Sequence, residues 1–139
     1  MRKNAFLKMW MRLTARRYGR SASDVQRRLD ARTALLLGRW VADRAYCHPD
    51  QSMEAVAEEL GISMEQLSYY CRSVLGVHFL TWRKQLRIAE AQRLLRADPA
   101  LSLQVVGERV GITDRTNFRR QFYEVCGCLP AEWLERGCP

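Results

Sequence analysis

Proline, histidine and long apolar runs are scarce in this sequence, and each scarcity excludes a class of structure. Four prolines, eight glycines and two histidines occur in 139 residues, and no stretch alternates β-branched with polar residues as a half-buried strand would. Leucine, alanine, arginine and glutamate, which favour helices, are abundant instead. The composition therefore predicts an all-α fold, and the chain is long enough to bury a core without disulfides or metals.

No segment contains the roughly eighteen uninterrupted apolar residues that a membrane-spanning helix requires. The most apolar stretches are residues 6–13, which Lys8 and Arg12 interrupt, and residues 34–41, which Arg39 interrupts. Neither stretch resembles a cleavable signal peptide. We therefore expect no membrane span and a cytoplasmic protein.

The cysteines and histidines form no metal-binding pattern. Five cysteines are an odd number, and no Cys-x-x-Cys pair is matched by a second pair or by two histidines, so we expect no structural zinc and no cofactor. Reduced thiols are the expected state in the cytosol, although Cys126 and Cys128 form a pair that a redox switch would also use. No catalytic residues are predicted, and the chain is not expected to be an enzyme.

An eight-residue segment occurs twice, fifty positions apart. Residues 56–63 read Val-Ala-Glu-Glu-Leu-Gly-Ile-Ser, and residues 106–113 read Val-Gly-Glu-Arg-Val-Gly-Ile-Thr. In each copy an apolar and a small residue stand where two helices must touch, and four positions later Gly61 or Gly111 can adopt the positive φ of a tight turn. A hydroxyl residue, Ser63 in the first copy, then opens another helix. The repeat predicts two helix-turn-helix units.

Periodicity and capping residues predict the order of the elements. Residues 1–22 form a basic segment, partly helical or disordered. The helix that follows begins at Ser23, ends near Tyr46 and is closed by His48-Pro49-Asp50. The remaining elements are the first helix-turn-helix at 53–75, a linker helix at 79–97 with apolar residues from Leu80 to Leu95 on several faces, the second helix-turn-helix at 102–126 and a short helix at 130–135.

Positive charge is concentrated at the N-terminus. The formal net charge is +8, yet residues 1–50 hold twelve Lys and Arg against four acids, whereas residues 51–139 hold eleven of each. The repeat region is therefore neutral. A nucleic-acid function in that region has to rest on where its arginines point.

Two motifs resemble one known family. Residues 86–95 read Leu-Arg-Ile-x-x-Ala-x-x-Leu-Leu, and residues 111–133 read Gly-Ile-x-Asp-x-x-x-Phe-x-x-x-Phe-x-x-x-x-Gly-x-x-Pro-x-x-Trp. Their spacing is similar to that of the DNA-binding domain of AraC/XylS-type transcription regulators, and the resemblance covers about residues 35–135. It implies that residues 23–139 form such a domain, with two helix-turn-helix subdomains joined by a long linker helix and preceded by an N-terminal helical extension.

Three residues depart from the family pattern. Cys71 occupies a usually aromatic position, Ile112 a position usually taken by phenylalanine, and Gly107 a position where alanine is typical. Smaller side chains leave space in a core. We therefore expect a looser core than the family norm.

Helical periodicity separates a core face from an outward face on each second helix of the repeats. At about 100° per residue, the core faces comprise Leu67, Tyr70, Cys71 and Val74 in the first unit and Phe118, Phe122 and Val125 in the second. The aromatic residues Trp40, Trp82 and Trp133 are predicted to pack rather than to stack on bases. The predicted DNA-binding residues are Glu65, Gln66, Ser68, Tyr69, Arg72, Arg87, Arg115, Thr116, Arg119, Arg120 and Tyr123.

These residues are expected to have different roles. Arg120 is predicted to contact bases, Arg119 a base or a phosphate, and Glu65 a cytosine. Gln66 is also placed to reach back towards Ser63 in a capping box. For Arg87 two interpretations stay open, a phosphate contact and an ion pair with an acid in the core, and its neighbours Arg83 and Lys84 are further phosphate candidates.

The resemblance implies a sequence-specific regulator that binds double-stranded DNA through two adjacent major grooves, and a monomer suffices because the repeat supplies both reading helices. One alternative is the DNA-binding output fragment of a larger sensor. A second is an interaction module in which the acidic first unit binds a protein such as RNA polymerase and only the second reads DNA. Two more are solvated helix faces without a ligand and a membrane-surface helix at residues 1–22.

Removing residues 1–22 is predicted to weaken nonspecific DNA binding without unfolding the chain. The deletion takes away seven basic residues, so the slope of log K against log salt concentration should become shallower. Binding to random duplexes at several salt concentrations measures the slope, and circular dichroism measures folding. Loss of the helical signal would contradict the prediction, because it would mean that the segment packs on the domain.

Overall fold

The structure is a computed structural model that describes residues Ser23–Gly137, so the predicted basic segment at residues 1–22 lies outside the described residues. Every regular element within that range is helical, which confirms the all-α prediction. No helix between Ser23 and Gly137 combines the length and apolarity needed to cross a membrane. The helices are α1 (Asp24–Ala42), α2 (Met53–Leu60), α3 (Met64–Tyr70), α4 (Phe79–Ala97), α5 (Leu103–Arg109), α6 (Arg115–Cys126) and α7 (Pro130–Arg136).

Side-chain oxygens begin five of these helices. Each capping oxygen accepts a hydrogen bond from the backbone N–H three residues later, at 2.7–3.2 Å, and so satisfies a donor that the helix itself leaves unpaired. A π-helical turn, Cys71–Leu75, extends α3 and ends at Gly76, whose φ is +75°. The capping residues are Ser23, Ser52, Ser63, Ser102 and Asp114.

The chain divides into two compact units. The first unit contains the described residues up to Ala45 together with Gln51–Leu80, and the second contains Tyr46–Asp50 together with the described residues from Thr81 onward. Helix α4 therefore starts in the first unit and continues in the second. Each unit holds one copy of the repeat.

The first unit packs around the inner faces of α1 and α3. Leu67, Tyr70 and Cys71 are fully buried and Val74 is 7 % exposed, which confirms the predicted core face of α3. The rings of Trp40 and Phe79 lie 5.8 Å apart, so Trp40 is a packing residue as expected. Burial raises the pKa of the Cys71 thiol to about 12, because an apolar environment disfavours the thiolate.

An aromatic cluster forms the centre of the second unit. The ring of Phe122 contacts Phe118 edge-on at 6.1 Å and Trp133 at 5.9 Å, and the Arg96 guanidinium lies 4.9 Å from the Trp133 ring. The predicted packing role of Trp133 is confirmed. The buried residues around this cluster include Ile88, Ala91, Leu95, Val106, Val110 and Ile112.

One residue lies outside the core face to which periodicity assigned it, and one apolar residue of the linker helix is exposed. Val125 is 37 % exposed and Leu80 is 56 % exposed. At the end of α6 the half-buried Cys126 packs on the core instead, and its sulfur accepts a hydrogen bond of 3.2 Å from the Gln92 Nε2. Trp133 of α7 contacts Phe122 and Gln92 of α4 contacts Cys126, so contacts with neighbouring helices override the periodicity of α6 at its end.

The prediction of reduced thiols is wrong at one position. Cys128 is disulfide-bonded. Cys47, Cys71 and Cys126 are free thiols. Of the two cysteines at positions 126 and 128, the first is therefore a free thiol and the second is oxidised.

The first helix ends earlier than predicted, at Ala42, because the chain reverses there. Arg44 has a φ of +56°, and a single 3₁₀ turn, Ala45–Cys47, follows. The segment Tyr46–Asp50 belongs to the second unit, where the Arg87 side chain donates to the carbonyl oxygens of Tyr46 and His48 at 2.6 and 2.8 Å. This contact joins residues about forty positions apart, which local patterns do not reveal.

The core around Gly107 is not loose. A Cβ atom at Gly107 would lie 2.7 Å from the Ile112 carbonyl oxygen and 3.4 Å from the Phe118 Cγ. An alanine there would collide with backbone rather than fill a cavity. The expectation of a looser core is therefore wrong at this position.

Alanine at Gly111 is predicted to destabilise the chain more than alanine at Gly61. Both glycines have positive φ, which costs an L-residue about 1–2 kcal/mol, but a Cβ at Gly61 meets nothing within 4 Å. At Gly111 it would lie 2.9 Å from the Cys47 carbonyl carbon, so we expect an additional loss of about 1–3 kcal/mol. Urea unfolding of the two variants measures the difference, and equal losses would mean that Tyr46–Asp50 moves aside freely.

Candidate nucleic-acid interface

Helices α3 and α6 are built in the same register. Ser63 and Asp114 cap them, and in each helix the residue four positions after the cap is buried, Leu67 fully and Phe118 at 1 % exposure. The turn before α6 is one residue longer, since Asp114 follows Gly111 by three positions and Ser63 follows Gly61 by two. The extra residue is accommodated before the cap, so positions counted from the cap correspond in the two helices.

The corresponding outward positions are mostly exposed polar or aromatic residues. Tyr69 is 43 % exposed and Tyr123 is 56 % exposed, which is unusual for such large aromatic side chains. Ser68 alone among them is half-buried. Positions two, five, six and nine after the cap are Glu65, Ser68, Tyr69 and Arg72 in α3 and Thr116, Arg119, Arg120 and Tyr123 in α6.

The outward face of α3 lines a shallow depression of about 480 Å³. Its walls offer two hydroxyls, a phenol, a thioether, one carboxylate and one guanidinium, which is a largely neutral surface. Such groups suit hydrogen bonds to base edges and contact with thymine methyl groups. The lining residues are Met64, Glu65, Ser68, Tyr69, Arg72 and Ser73.

Gln66, a predicted DNA contact, instead bonds to α1. Its Nε2 donates to the Asp30 Oδ1 at 3.0 Å and to the Thr33 Oγ1 at 3.1 Å, and its Oε1 accepts from the Gln26 Nε2 at 3.2 Å. Gln26 also donates to Asp30, at 2.9 Å. No hydrogen bond returns from the Gln66 side chain to Ser63, so the capping box is only half formed within the described residues.

These side chains form a partly buried polar cluster, which we call the α1–α3 clasp and define as Gln26, Asp30, Thr33 and Gln66. Asp30 is 2 % exposed and Thr33 is 1 % exposed, and the Thr33 hydroxyl donates to the Leu29 carbonyl oxygen at 2.8 Å. Helical periodicity and capping patterns do not identify Asp30 and Thr33 as partners of α3. The available signal was their spacing, since they share one face of α1 with the buried Leu37 and Trp40.

The exposed face of α6 is basic. Arg115, Arg119 and Arg120 are all exposed, and an Arg120 Nη2 donates to the Asn117 Oδ1, which directs the side chain back along the helix. Lys84 Nζ donates a hydrogen bond of 2.9 Å to the Glu124 carboxylate and forms an ion pair with it. This bond, together with the positive charges of Lys84 and Arg120, lowers the pKa of the Glu124 carboxyl. The single acid of α6 is thus already partnered.

Arg87 is not on an exposed face. The side chain is 8 % exposed, and its partners are the Tyr46 and His48 carbonyl oxygens rather than the acid that one interpretation required. Burial, followed by the charge of Arg83, lowers the pKa of the Arg87 guanidinium to about 10. The group therefore stays charged at neutral pH and makes charge-assisted hydrogen bonds.

Each unit contains two helices joined by a glycine turn, and the second of these helices begins with a side-chain cap. This arrangement defines a helix-turn-helix protein. A family model described as a helix-turn-helix domain matches residues 56–136. The arabinose operon regulatory proteins of Salmonella typhimurium (strain LT2) and Escherichia coli (strain K12) are each 34 % identical to this chain over 84 residues. The matched region is 60 % of this chain, and the chain spans less than a third of the relatives, 29 % and 28 % of their lengths.

A solved structure has the same fold. The C-terminal domain of AraT, a response regulator from Geobacillus stearothermophilus, superposes with a TM-score of 0.64 over 83 % of this chain and 87 % of that domain, at 24 % identity. This match supports the fold, and the family match over residues 56–136 confirms the resemblance seen in the sequence. The chain belongs to the AraC/XylS-type family of helix-turn-helix DNA-binding domains.

Replacing Gln66 is predicted to cost stability, whereas replacing its counterpart Asn117 is not. Gln66→Leu removes the amide that donates to the buried Asp30 and Thr33, which keep only their bonds to Gln26 and to the Leu29 carbonyl oxygen, at a cost of about 1–3 kcal/mol. Asn117, at the same position after the cap, bonds only the exposed Arg120, so Asn117→Leu should change the free energy of unfolding by less than about 0.5 kcal/mol. Urea titration measures both, and a Gln66 variant as stable as the parent would contradict a structural role for the clasp.

Proposed function

We propose that this chain is a sequence-specific regulator of transcription that binds double-stranded DNA by inserting α3 and α6 into adjacent major-groove segments. The observation that carries the proposal is the shared register of the two helices, because it presents equivalent outward positions twice. A dimeric helix-turn-helix protein obtains two reading helices by symmetry. Here the internal repeat supplies both, so a monomer suffices.

The second unit carries the stronger base recognition in this proposal. Arg120 lies six positions after the cap and is oriented by Asn117, and an arginine so placed can donate to the O6 and N7 of guanine. Arg119 contacts a neighbouring base or a phosphate, and Arg115 and Thr116 lie in the first turn of α6, where side chains approach the groove. Tyr123 extends the same face.

The first unit reads DNA with less charge. Ser68 and Tyr69 contact base edges or thymine methyl groups, and Glu65 accepts from the amino group of cytosine. Arg72 holds a phosphate. We assign Gln66 and Arg87 to structure rather than to DNA, because the donors they use are bonded within their own units.

A second candidate is a protein-interaction module, and the charge of α2 favours it. Glu54, Glu58 and Glu59 are exposed, and residues 51–71 contain no lysine or arginine. In that case the first unit binds a protein such as RNA polymerase, and only α6 reads DNA. DNA binding that withstands replacement of Ser68 and Tyr69, but not of Arg119 and Arg120, would select this alternative.

Replacing the arginines of α6 should harm DNA recognition more than replacing Glu65. Arg120→Ala is expected to relax the preference at one or two base pairs by about 1–3 kcal/mol, and Arg119→Ala should also exceed Glu65→Ala. The measurement is the affinity for duplexes recovered from a random pool and for single-base variants of them. Equal losses on recovered and on random duplexes would show that the arginines only position the protein.

Separating the two half-sites is predicted to uncouple the readers. One turn of DNA is about 10–10.5 base pairs. Inserting about five base pairs between the half-sites therefore moves the second half-site to the opposite side of the duplex. Affinity should then fall to that measured for a duplex carrying only the half-site of α6. A matched insertion outside the two half-sites is the control. Unchanged affinity after the inner insertion would leave α6 as the only reader.

A further inference from the structure

The helix-turn-helix of the first unit contains too little positive charge to hold DNA by itself. Residues 51–71 carry four glutamates and no basic residue, and Arg72 is the first that follows. Phosphate neutralisation by lysine and arginine supplies most of the sequence-independent affinity for DNA. If α3 enters a groove as proposed above, cations from another element must face the neighbouring phosphates.

Helix α1 offers such cations on its outer face. Arg28 and Arg32 are exposed, and because they are four residues apart they share one face and are separated by about 6 Å along the axis. Neither forms an ion pair with another described residue, whereas the adjacent Arg27 is paired with Asp24 at 3.0 Å. Two guanidinium groups are thus available for an anionic partner.

Arg32 lies close to the residues that would read the bases. It lines a cleft of about 420 Å³ together with Ser63 at the start of α3 and with Glu65 and Tyr69 from its outward face. The same cleft includes Gly61 from the turn. A partner that contacts Glu65 and Tyr69 is therefore within reach of the Arg32 guanidinium.

The α1–α3 clasp fixes the register of this arrangement. Asp30 and Thr33, which flank Arg32 in the sequence, face inward and hold the Gln66 amide with hydrogen bonds of 3.0 and 3.1 Å. Any shift of α1 along α3 would break these buried hydrogen bonds, which is costly. The outer face of α1 is consequently held in one position relative to the recognition helix.

We propose that Arg28 and Arg32 bind phosphates of the DNA beside the segment read by α3, which makes α1 part of the nucleic-acid interface. The inference rests on the proposed function and extends it to an element outside the helix-turn-helix. The two arginines bind any sequence equally, because phosphates are the same in all sequences. They supply the affinity that the acidic α2 does not.

The test compares the salt dependence of DNA binding for the full chain and for R28Q/R32Q, on a duplex recovered from a random pool. Each lost phosphate contact reduces the magnitude of the negative slope of log K against log salt by about 0.9. The double variant should therefore have a slope shallower by about 1.8. R27Q removes one positive charge from the same helix at a paired position and should reduce the magnitude of the slope by less than half of the single-contact value. R28K/R32K keeps the charge and should retain the slope.

A further arm locates the contact. On a duplex that carries only the half-site of α6, the parent and R28Q/R32Q should bind equally, and on the full site the variant should lose affinity without changing its preference among bases. Thermal melting controls for folding, and a variant that unfolds is replaced by the single changes.

The outcomes separate this inference from the proposed function. The proposed function fails if the unchanged chain selects no preferred duplex from the random pool. It also fails if R120A has the same base preference as the unchanged chain. If preference depends on Arg120 but the slopes of R28Q/R32Q and R27Q are equal, only the role of α1 is overturned. It is overturned as well if R28Q/R32Q keeps the DNA slope and instead loses binding to vesicles containing phosphatidylserine.

Discussion

The turn between the two helices of each unit is the constraint on which the rest of the structure depends. After α2 the chain turns at Gly61, and the Ile62 N–H donates to the Ala57 carbonyl oxygen at 3.1 Å. After α5 the Ile112 N–H donates to the Gly107 carbonyl oxygen at 2.8 Å. In both turns the backbone N–H that follows the left-handed glycine donates to a carbonyl in the last turn of the preceding helix. This bond ends the helix and fixes the direction in which the chain leaves it. The next cap, and with it every outward position of α3 and α6, follows from that direction.

In the interface proposed above, the two units supply positive charge in different ways. In the second unit the reading helix itself is basic, and its acid at position 124 is paired with Lys84. In the first unit the reading helix is almost neutral and its helix-turn-helix partner is acidic, while the arginines stand on α1. A formal charge of +8 over 139 residues does not reveal this division, because it depends on which helix presents each charge.

Local features of the fold were predictable from the sequence, and features set by distant residues were not. Gly61, Ser63 and the buried Leu67 act within a few positions of one another, so repeat, cap and periodicity sufficed to place them. The burial at the end of α6 depends on contacts with other helices, and the position of Tyr46–Asp50 depends on hydrogen bonds from Arg87 about forty residues away. Gln66 shows the same limit for the candidate site. Its position in α3 predicted a DNA contact, but the sequence around it does not reveal the acceptors on α1 to which its amide donates.

A family motif combines residues that read a ligand with residues that shape the protein, and burial separates them. Arg87 lies within a motif of a DNA-binding family, yet its guanidinium is buried and orders a peptide segment through two carbonyl oxygens. A lysine, as a single point charge on a flexible stem, would not hold two acceptors in the same fixed geometry. Arg119 and Arg120 have the same side chain at exposed positions and so remain available to a partner. The distinction between these arginines therefore arises from packing, and a motif alone does not contain it.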